Sequence, residues 1–229
     1  MSHPERWHLK GCRQSRTTQM LQCVRGDMAG TGELPNDSRP IRRDIESRLL
    51  VEEGLELRII VEEDAEDLFL KIDENRRHLR EWLPWLDDIQ SVRDEISFIS
   101  LSLEDFEKRE GAIYAIRLDG KIIGTASLNW LDWANKGCGA GYWLSETHSG
   151  HGYVTKSCIR LMEHCFEDLG LHRFVLEVAV ENHASRAVAE RMGMRLEGIS
   201  KDREWLYDHF TDSVMYAITY PEWKSRTQG

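Results

Sequence analysis

A short glycine-containing segment has the residue pattern that most clearly suggests chemistry. An apolar stretch that ends at Leu144 is followed by the loop 145–151, and an amphipathic pattern begins at Gly152. The first turn of a helix has unpaired N–H groups and the positive end of the helix dipole. Glycines at 150 and 152 would let a ligand approach that backbone closely. The segment therefore predicts a phosphate site without basic side chains; the loop alone leaves open a glycine-rich helix start with no ligand.

The elements that must position this loop form a mixed α/β fold. Period-2 alternation predicts strands, and apolar residues at 3.6-residue spacing predict helices. The predicted order is a strand over Leu55–Ile59, helices over 63–82 and 91–108, strands over Ala112–Leu118, 122–130 and 139–144, a helix over 152–169, a strand over 171–180, a helix over 184–192, and two strands around residues 207 and 208. Asp119-Gly120 marks a hairpin turn, and Asp64 is the candidate N-cap of the first helix.

Composition excludes several classes of protein. The chain has 229 residues, 41% of them hydrophobic, and a net charge of -10, which suits one domain and argues against direct nucleic-acid binding. No apolar run approaches the ~18 residues of a membrane span. Five cysteines without a CxxC pair indicate a reducing, cytoplasmic setting. The nine histidines lack metal-ligand spacing, and His148 with His151 is the nearest pair, so no metal is expected.

The first 48 residues differ from the rest in charge. They contain nine Lys/Arg and six Asp/Glu, a net of +3, whereas residues 49–229 contain 21 and 34, a net of -13. Turn-forming residues are dense between Asp27 and Arg43, and apolar periodicity is absent. We therefore expect a flexible extension over 1–48 and a folded domain over 49–229. An arginine-rich targeting peptide, or a true start at Met28, are alternative interpretations of the extension.

The loop also resembles a known motif. The GNAT acetyltransferases bind the pyrophosphate of acetyl-CoA through the pattern Gln/Arg-x-x-Gly-x-Gly/Ala. In this chain Gly152 matches, while Ser149 replaces the first residue and Val154 the last. Neither GxxxxGK[ST] nor GxGxxG occurs here.

The resemblance extends over about residues 55–223 and is closest to the RimL-like branch, which acetylates α-amino groups of ribosomal proteins. Beyond the loop it rests on 76–85, Asn135-Lys136, 141–144, Asn182, Ser185, Glu197-Gly198, Asp212 and Glu222-Trp223. It implies the GNAT fold, a splayed central sheet flanked by helices. It also implies acetyl-CoA as cosubstrate and an acetyl transfer to a primary amine.

By this resemblance, each candidate site residue has an implied role. A backbone N–H near Leu144 would stabilise the oxyanion, Asn182 would hold the pantetheine arm, and Ser185 would give a proton to the departing thiolate. Helix capping is the structural alternative for Asn182, and a solvated surface arginine is the alternative for Arg191. The residues assigned to the cosubstrate are Trp143, Leu144, Ser149, Gly150, His151, Gly152, Tyr153, Val154, Thr155, Asn182 and Arg191.

The acceptor amine must lose a proton before it attacks. Glu146 and Glu177 are the candidate bases, with Glu146 favoured because it follows the central strand; either glutamate could be a solvated surface acid. We expect Trp82, Trp85 and Trp130 to line the acceptor groove, with core packing as the alternative.

The leading hypothesis for the acceptor is a protein N-terminus, such as that of a ribosomal protein. A small amine (a polyamine or an aminoglycoside) is the second hypothesis. A non-catalytic CoA-binding sensor is the alternative from another functional class. Related proteins are often dimers, so a homodimer is possible; no membrane partner is expected.

Overall fold

The computed structural model of the protein describes residues 44–227, which contain eight strands and six α-helices. The strands are β1 (Arg48–Glu52), β2 (Leu55–Ile59), β3 (Ala112–Leu118), β4 (Lys121–Asp132), β5 (Gly137–Leu144), β6 (Arg173–Ala179), β7 (Arg195–Leu206) and β8 (His209–Thr219). The helices are α1 (Ala65–Glu74), α2 (Arg76–Leu79), α3 (Val92–Glu107), α4 (Tyr153–Glu163), α5 (His183–Arg191) and α6 (Tyr220–Thr227). A π-helical turn over His164–Asp168 continues α4.

All eight strands form one sheet in the order β1-β2-β3-β4-β5-β6-β8-β7. Every neighbouring pair is antiparallel except β5 and β6, which are parallel. A parallel pair needs a crossover connection, and here α4 supplies it. The predicted mixed α/β sheet flanked by helices is confirmed.

The parallel pair separates after a short contact. Residues 137–140 of β5 pair with residues 173–176 of β6, and no pair follows. Both strands continue, to Leu144 and to Ala179. Beyond Ala140 the two strands therefore diverge, and a gap opens between their C-terminal halves. We call this opening the gap.

Apolar residues cover both faces of the sheet. On one face, here called the α4 face, strand residues such as Leu144 pack with α4, α5 and α6. On the other, the α1 face, Trp143 packs with residues of α1 and α3. Successive β5 side chains alternate between these two cores, as the pleat of a strand requires.

The helix predicted over 63–82 is interrupted at Asn75, which separates α1 from α2. Asn75 leaves the helical conformation (φ -113°, ψ 9°) and its Nδ2 donates to Lys71 O at 2.8 Å. Asp64 stands at the predicted N-cap position, but its side chain does not cap α1. Its carboxylate instead accepts from the buried Arg117 and from Val61 N–H.

Strand β1 and helix α6 were not predicted. Helix α6 has only eight residues, with Pro221 in its first turn, and β1 follows the turn-rich segment that ends at Arg43. The described structure begins at Asp44, and Ile45 is already buried in the core of the α4 face. The extension expected over 1–48 lies mostly outside the described residues, so its boundary stays a prediction. No helix within residues 44–227 is long and apolar enough to cross a membrane.

One buried carboxylate in the helical layer has no structural partner. Glu95 of α3 is only 1% exposed, and its Oε2 has no hydrogen-bond partner in the described chain. Desolvation raises the pKa of Glu95 from 4.5 to about 7. Burial disfavours the charged form of a carboxyl group, so the folded protein holds this proton more tightly than the unfolded chain does.

We expect Glu95→Gln to stabilise the fold above pH 7. Between about pH 4.5 and 7 the folded state binds a proton that the unfolded state has lost, so wild-type stability falls as pH rises through this window. One pKa unit is worth about 1.4 kcal/mol, so the variant should gain about 1–3 kcal/mol at pH 8 and nothing at pH 4. Urea unfolding at both pH values measures this, with the exposed Glu107→Gln on the same helix as control. Equal pH dependence in wild type and Glu95→Gln would contradict the assignment.

Candidate active site

The loop before α4 has the backbone shape that its glycines permit. Gly150 and Gly152 have φ angles of 80° and 81°, a region that L side chains rarely adopt. A Cβ atom added at either position would meet nothing within 4 Å. The glycines are therefore required by the turn itself, and the space above the loop is open to a ligand.

The turn presents a row of unpaired amides. His148 and Ser149 donate to carbonyl oxygens of the loop, each at 3.0 Å, and Lys156 makes the first helical bond, to Gly152 O at 3.0 Å. Within the described residues, the six intervening N–H groups, of 150–155, have no acceptor. These donors lie at the positive end of the α4 dipole, which is a suitable arrangement for a phosphate.

Side chains of the loop leave this row accessible. Thr155 is 9% exposed, and its buried hydroxyl has no hydrogen-bond partner in the described chain. His151 folds back, with Nδ1 2.9 Å from Ser149 O and its ring 5.6 Å from that of Tyr153. Val154 packs against the core of the α4 face. No three His, Cys, Asp or Glu side chains between residues 44 and 227 are grouped to hold a metal.

The end of β5 directs two amides into the gap. Ser145 N–H donates to Ile123 O at 2.8 Å, and Leu144 stands opposite Gly124 in the β4–β5 register. N–H directions alternate along an antiparallel strand. The amides of Leu144 and Tyr142 therefore point away from β4 and toward the gap, where the predicted oxyanion donor is required.

Helix α5 borders the gap on the β6 side. Asn182 Oδ1 accepts from Ser185 N–H at 3.0 Å, so Asn182 does cap this helix. Tyr142 Oη donates to Ser185 O at 3.2 Å. Arg191 is exposed at the other end of α5. The structure thus brings Asn182 and Ser185 to the gap, while their roles and that of Arg191 stay predictions.

Two acidic side chains lie on the opposite side of the sheet. Glu177 follows the last paired residue of β6 and faces away from the α4 core that its neighbours enter. Arg203 Nη2 donates to Glu177 Oε2 at 2.9 Å. The second acidic residue, Glu204, lies next to this pair. Desolvation raises the pKa of Glu204, the charge of Arg203 lowers it, and the charge of Glu177 raises it further. A raised pKa makes a carboxylate a better proton acceptor.

Glu146 lies at the C-terminal end of β5, as predicted. Its side chain is exposed, and its carboxylate has no hydrogen-bond partner among the described residues. Its backbone N–H donates to Asn75 Oδ1 at 2.8 Å, which ties the loop to the break between α1 and α2. Its role as the base stays a prediction.

The segment after α2 and the β7–β8 hairpin meet over the α1 face. Tyr207 Oη donates to Leu83 O at 2.6 Å. Trp82 and Trp85 flank this contact along the chain and are half-buried, and the Trp85 ring stacks on Phe98 with centroids 6.5 Å apart. A cavity of ≈ 430 Å³ adjoins the contact and is lined by Arg80, Glu81, Leu206, Tyr207, Asp208 and His209.

Trp130 lies far along β4 from the end of β5. It is 44% exposed, and its ring lies so close above Gly139 that a Cβ there would clash. Its strand position is six residues from Gly124, the partner of Leu144. At about 3.3 Å per residue, this is roughly 20 Å along β4. The structure does not bring Trp130 to the end of β5.

Sequence reasoning did not select Tyr142, Asn75, Tyr207 or Glu204. A tyrosine within an apolar strand is typical of a core residue, and an asparagine within a helical pattern carries no signal for its long-range partner. Only the hairpin itself, marked by turn residues at 207 and 208, was visible in the sequence. Their contacts depend on strand register and on loops distant in sequence.

Comparison with known proteins agrees with this geometry. Residues 54–195 match the acetyltransferase (GNAT) domain family. The ribosomal-protein-serine acetyltransferase of Escherichia coli is 32% identical over 167 residues, which are 73% of this chain and 93% of that protein. The solved RimL ribosomal-protein α-N-acetyltransferase with coenzyme A has a TM-score of 0.73 at 30% identity, covering 75% of this chain and 97% of that chain.

A microcin self-immunity acetyltransferase, solved with acetyl-CoA and AMP, has the same TM-score of 0.73 at 31% identity, over 77% of this chain and 98% of that chain. The expected fold and the resemblance to the RimL-like branch are confirmed. The chain belongs to the GNAT acetyltransferase family and is an acetyl-CoA-dependent N-acyltransferase.

Proposed function

We propose that the protein transfers acetyl from acetyl-CoA to the α-amino group of a protein N-terminus, in a direct ternary complex. The observation that carries this proposal is the combination of six unpaired amides at the start of α4 with a gap between β5 and β6. The acceptor class is supported by the relatives, which are named for ribosomal-protein N-termini. A cytoplasmic setting and a homodimer belong to the same proposal.

The residues present suit coenzyme A. Its diphosphate needs several donors without a deep basic pocket, and the amides of 150–155 with the orphaned hydroxyl of Thr155 offer them. Its pantetheine arm carries amides that can pair with strand edges, and β5 leaves the amides of Tyr142 and Leu144 unpaired toward the gap. Acetyl-CoA supplies an activated thioester when it is bound in this way.

Groups of the protein itself then stabilise the oxyanion and transfer the protons. The Leu144 N–H donates to the oxygen on which charge develops, and one such donor is worth about 3 kcal/mol. The Ser185 hydroxyl holds the proton needed by the leaving sulfur. A carboxylate on the α1 face accepts the proton of the amine. Glu204 and Glu146 are both exposed, and the raised pKa of Glu204 favours Glu204 for this role.

A direct transfer is favoured over a cysteine-linked route. Cys138, Cys158 and Cys165 are buried. Desolvation raises the pKa of Cys158 to about 12 and that of Cys165 well above its ordinary value. A thiol in such surroundings stays protonated and is a poor nucleophile.

An α-amino acceptor requires only a weak base for its deprotonation. At pH 7, deprotonating an α-amino group of pKa ~7.7 costs about 1 kcal/mol, whereas a lysine of pKa ~10.4 costs about 4.6 kcal/mol. A single carboxylate such as Glu204 is adequate for the first of these. This comparison favours N-termini over lysine side chains.

We expect Gly152→Ala to weaken CoA binding by about tenfold. Its φ of 81° becomes strained with a Cβ, which costs on the order of 1 kcal/mol and turns the amides away from the ligand. Gly120→Ala is the matched control, because Gly120 has a φ of 80° and equally open surroundings in the β3–β4 turn. Calorimetric titration with CoA measures both variants, and an equal loss in both would contradict the loop assignment.

We expect Glu204→Gln to lower kcat/KM at pH 7 by roughly 10²-fold, the usual effect of losing a general base. Glu146→Gln should change it less than twofold. Initial rates with a peptide acceptor between pH 6 and 9 measure the effect, and the Glu204 variant should recover as pH rises because more of the amine is then neutral. A larger loss of kcat/KM in Glu146→Gln than in Glu204→Gln would identify Glu146 as the general base.

We expect free Ser- and Ala-terminal peptides to be acetylated faster than spermidine or an Nα-blocked lysine peptide. Release of the CoA thiol reports the rate, and mass spectrometry locates the acetyl group. The small amines are included because the microcin self-immunity relative has an equal TM-score. Acetylation of spermidine alone would replace the proposed acceptor, and CoA binding without any thiol release would favour the sensor alternative.

A further inference from the structure

The side chain of Tyr142 spans the gap. Tyr142 lies on β5 two residues beyond the last residue paired with β6. Its ring enters the core of the α4 face, as do the neighbouring even-numbered residues Ala140 and Leu144. Its hydroxyl donates to Ser185 O, 3.2 Å away on α5. Tyr142 therefore connects the two walls of the gap below the plane of the sheet.

Hydrogen bonds between these walls involve one pair of residues. Within the described part of the chain, the hydrogen bonds that join 141–144 of β5 to 177–191 of β6 and α5 all run between Tyr142 and Ser185. The Arg186 side chain of α5 bonds instead to Val180 O and to Tyr216 on β8. The separation of β5 from α5 thus depends on apolar packing and on this single directional contact.

The contact acts on the peptide of a predicted site residue. Ser185 N–H is held by Asn182 Oδ1 at 3.0 Å, and Ser185 O is held by Tyr142. Burial raises the pKa of Tyr142, so its phenol remains a donor at any physiological pH. Two hydrogen bonds, from Asn182 and from Tyr142, therefore hold the backbone of Ser185 at the start of α5.

We propose that Tyr142 is a positioning residue that sets the width of the gap and thereby the fit of the pantetheine arm of coenzyme A. This inference rests on the proposed function. It assigns a task to a residue that does not contact the reacting atoms. Loss of its hydroxyl should allow α5 to shift relative to β5, which loosens the site for the arm but leaves the phosphate loop intact.

The test is Tyr142→Phe, which removes one oxygen atom and no apolar surface. A neutral hydrogen bond is worth about 1 kcal/mol, so the Kd for CoA should rise about fivefold. The Kd for adenosine 3′,5′-diphosphate, the nucleotide half that lacks the pantetheine arm, should not change. In turnover, KM for acetyl-CoA should rise by the same factor, while KM for the peptide acceptor stays constant.

Tyr114→Phe is the matched control. Tyr114 is likewise a strand tyrosine, fully buried where Tyr142 is half-buried. Its hydroxyl also donates to a backbone carbonyl, Glu46 O at 2.8 Å, but it belongs to β3 and does not border the gap. This variant should lose a similar amount of thermal stability and bind CoA like the wild type. Equal CoA affinity in the Tyr142 and Tyr114 variants would overturn the proposal.

Binding of adenosine 3′,5′-diphosphate distinguishes a failure of this proposal from a failure of the proposed function. If wild type binds neither CoA nor adenosine 3′,5′-diphosphate, the function itself fails. If both bind and Tyr142→Phe weakens both equally, Tyr142 supports the loop or the whole fold rather than the gap, and the inference is wrong. Selective weakening of CoA supports it.

Discussion

The parting of β5 from β6 is the constraint on which the rest of the site depends. A parallel pair that ends after four residues leaves strand amides without partners, and buried amides without partners destabilise a fold unless something else bonds them. The helix that returns the chain from β5 to β6 begins just beyond the divergence. Its unpaired first turn and the unpaired edge of β5 therefore lie along one continuous path, which an elongated ligand with phosphates at one end can follow.

In the proposed function the sheet separates the two substrates. Helices α4 and α5, with the phosphate loop, lie on one face, whereas Glu177, Arg203 and Glu204 lie toward the other. In the proposed function, a thioester in the gap is open to an amine from the α1 face. On that face the β7–β8 hairpin and the segment after α2 are joined through Tyr207 and Leu83, beside a cavity large enough for a few residues of a peptide.

Local features of this arrangement could be predicted from the sequence, and non-local ones could not. The glycines of the loop, the strand before it and the polar residues that start α5 are each defined within a few neighbouring positions. Tyr142 and Ser185 are 43 residues apart, and Leu83 and Tyr207 are 124 apart. Such contacts are fixed by strand register, which a sequence pattern alone does not specify. The same reason explains why Trp130, a tryptophan like Trp82 and Trp85, lies far from the end of β5.

Within residues 44–227, some buried side-chain oxygens have no hydrogen-bond partner, and their positions in the fold suggest different reasons. Glu95, Thr155 and Ser157 each have a buried side-chain oxygen without a partner among the described residues. Such groups are rare in stable cores and call for an explanation. For Thr155 the site provides one, because the hydroxyl borders the open row of amides. Glu95 lies on α3 in the helical layer and is 1% exposed, and its raised pKa indicates that the fold favours its neutral form. An unpaired buried oxygen therefore has a different explanation at Thr155, where it lies beside the site, than at Glu95, where the carboxyl group stays neutral.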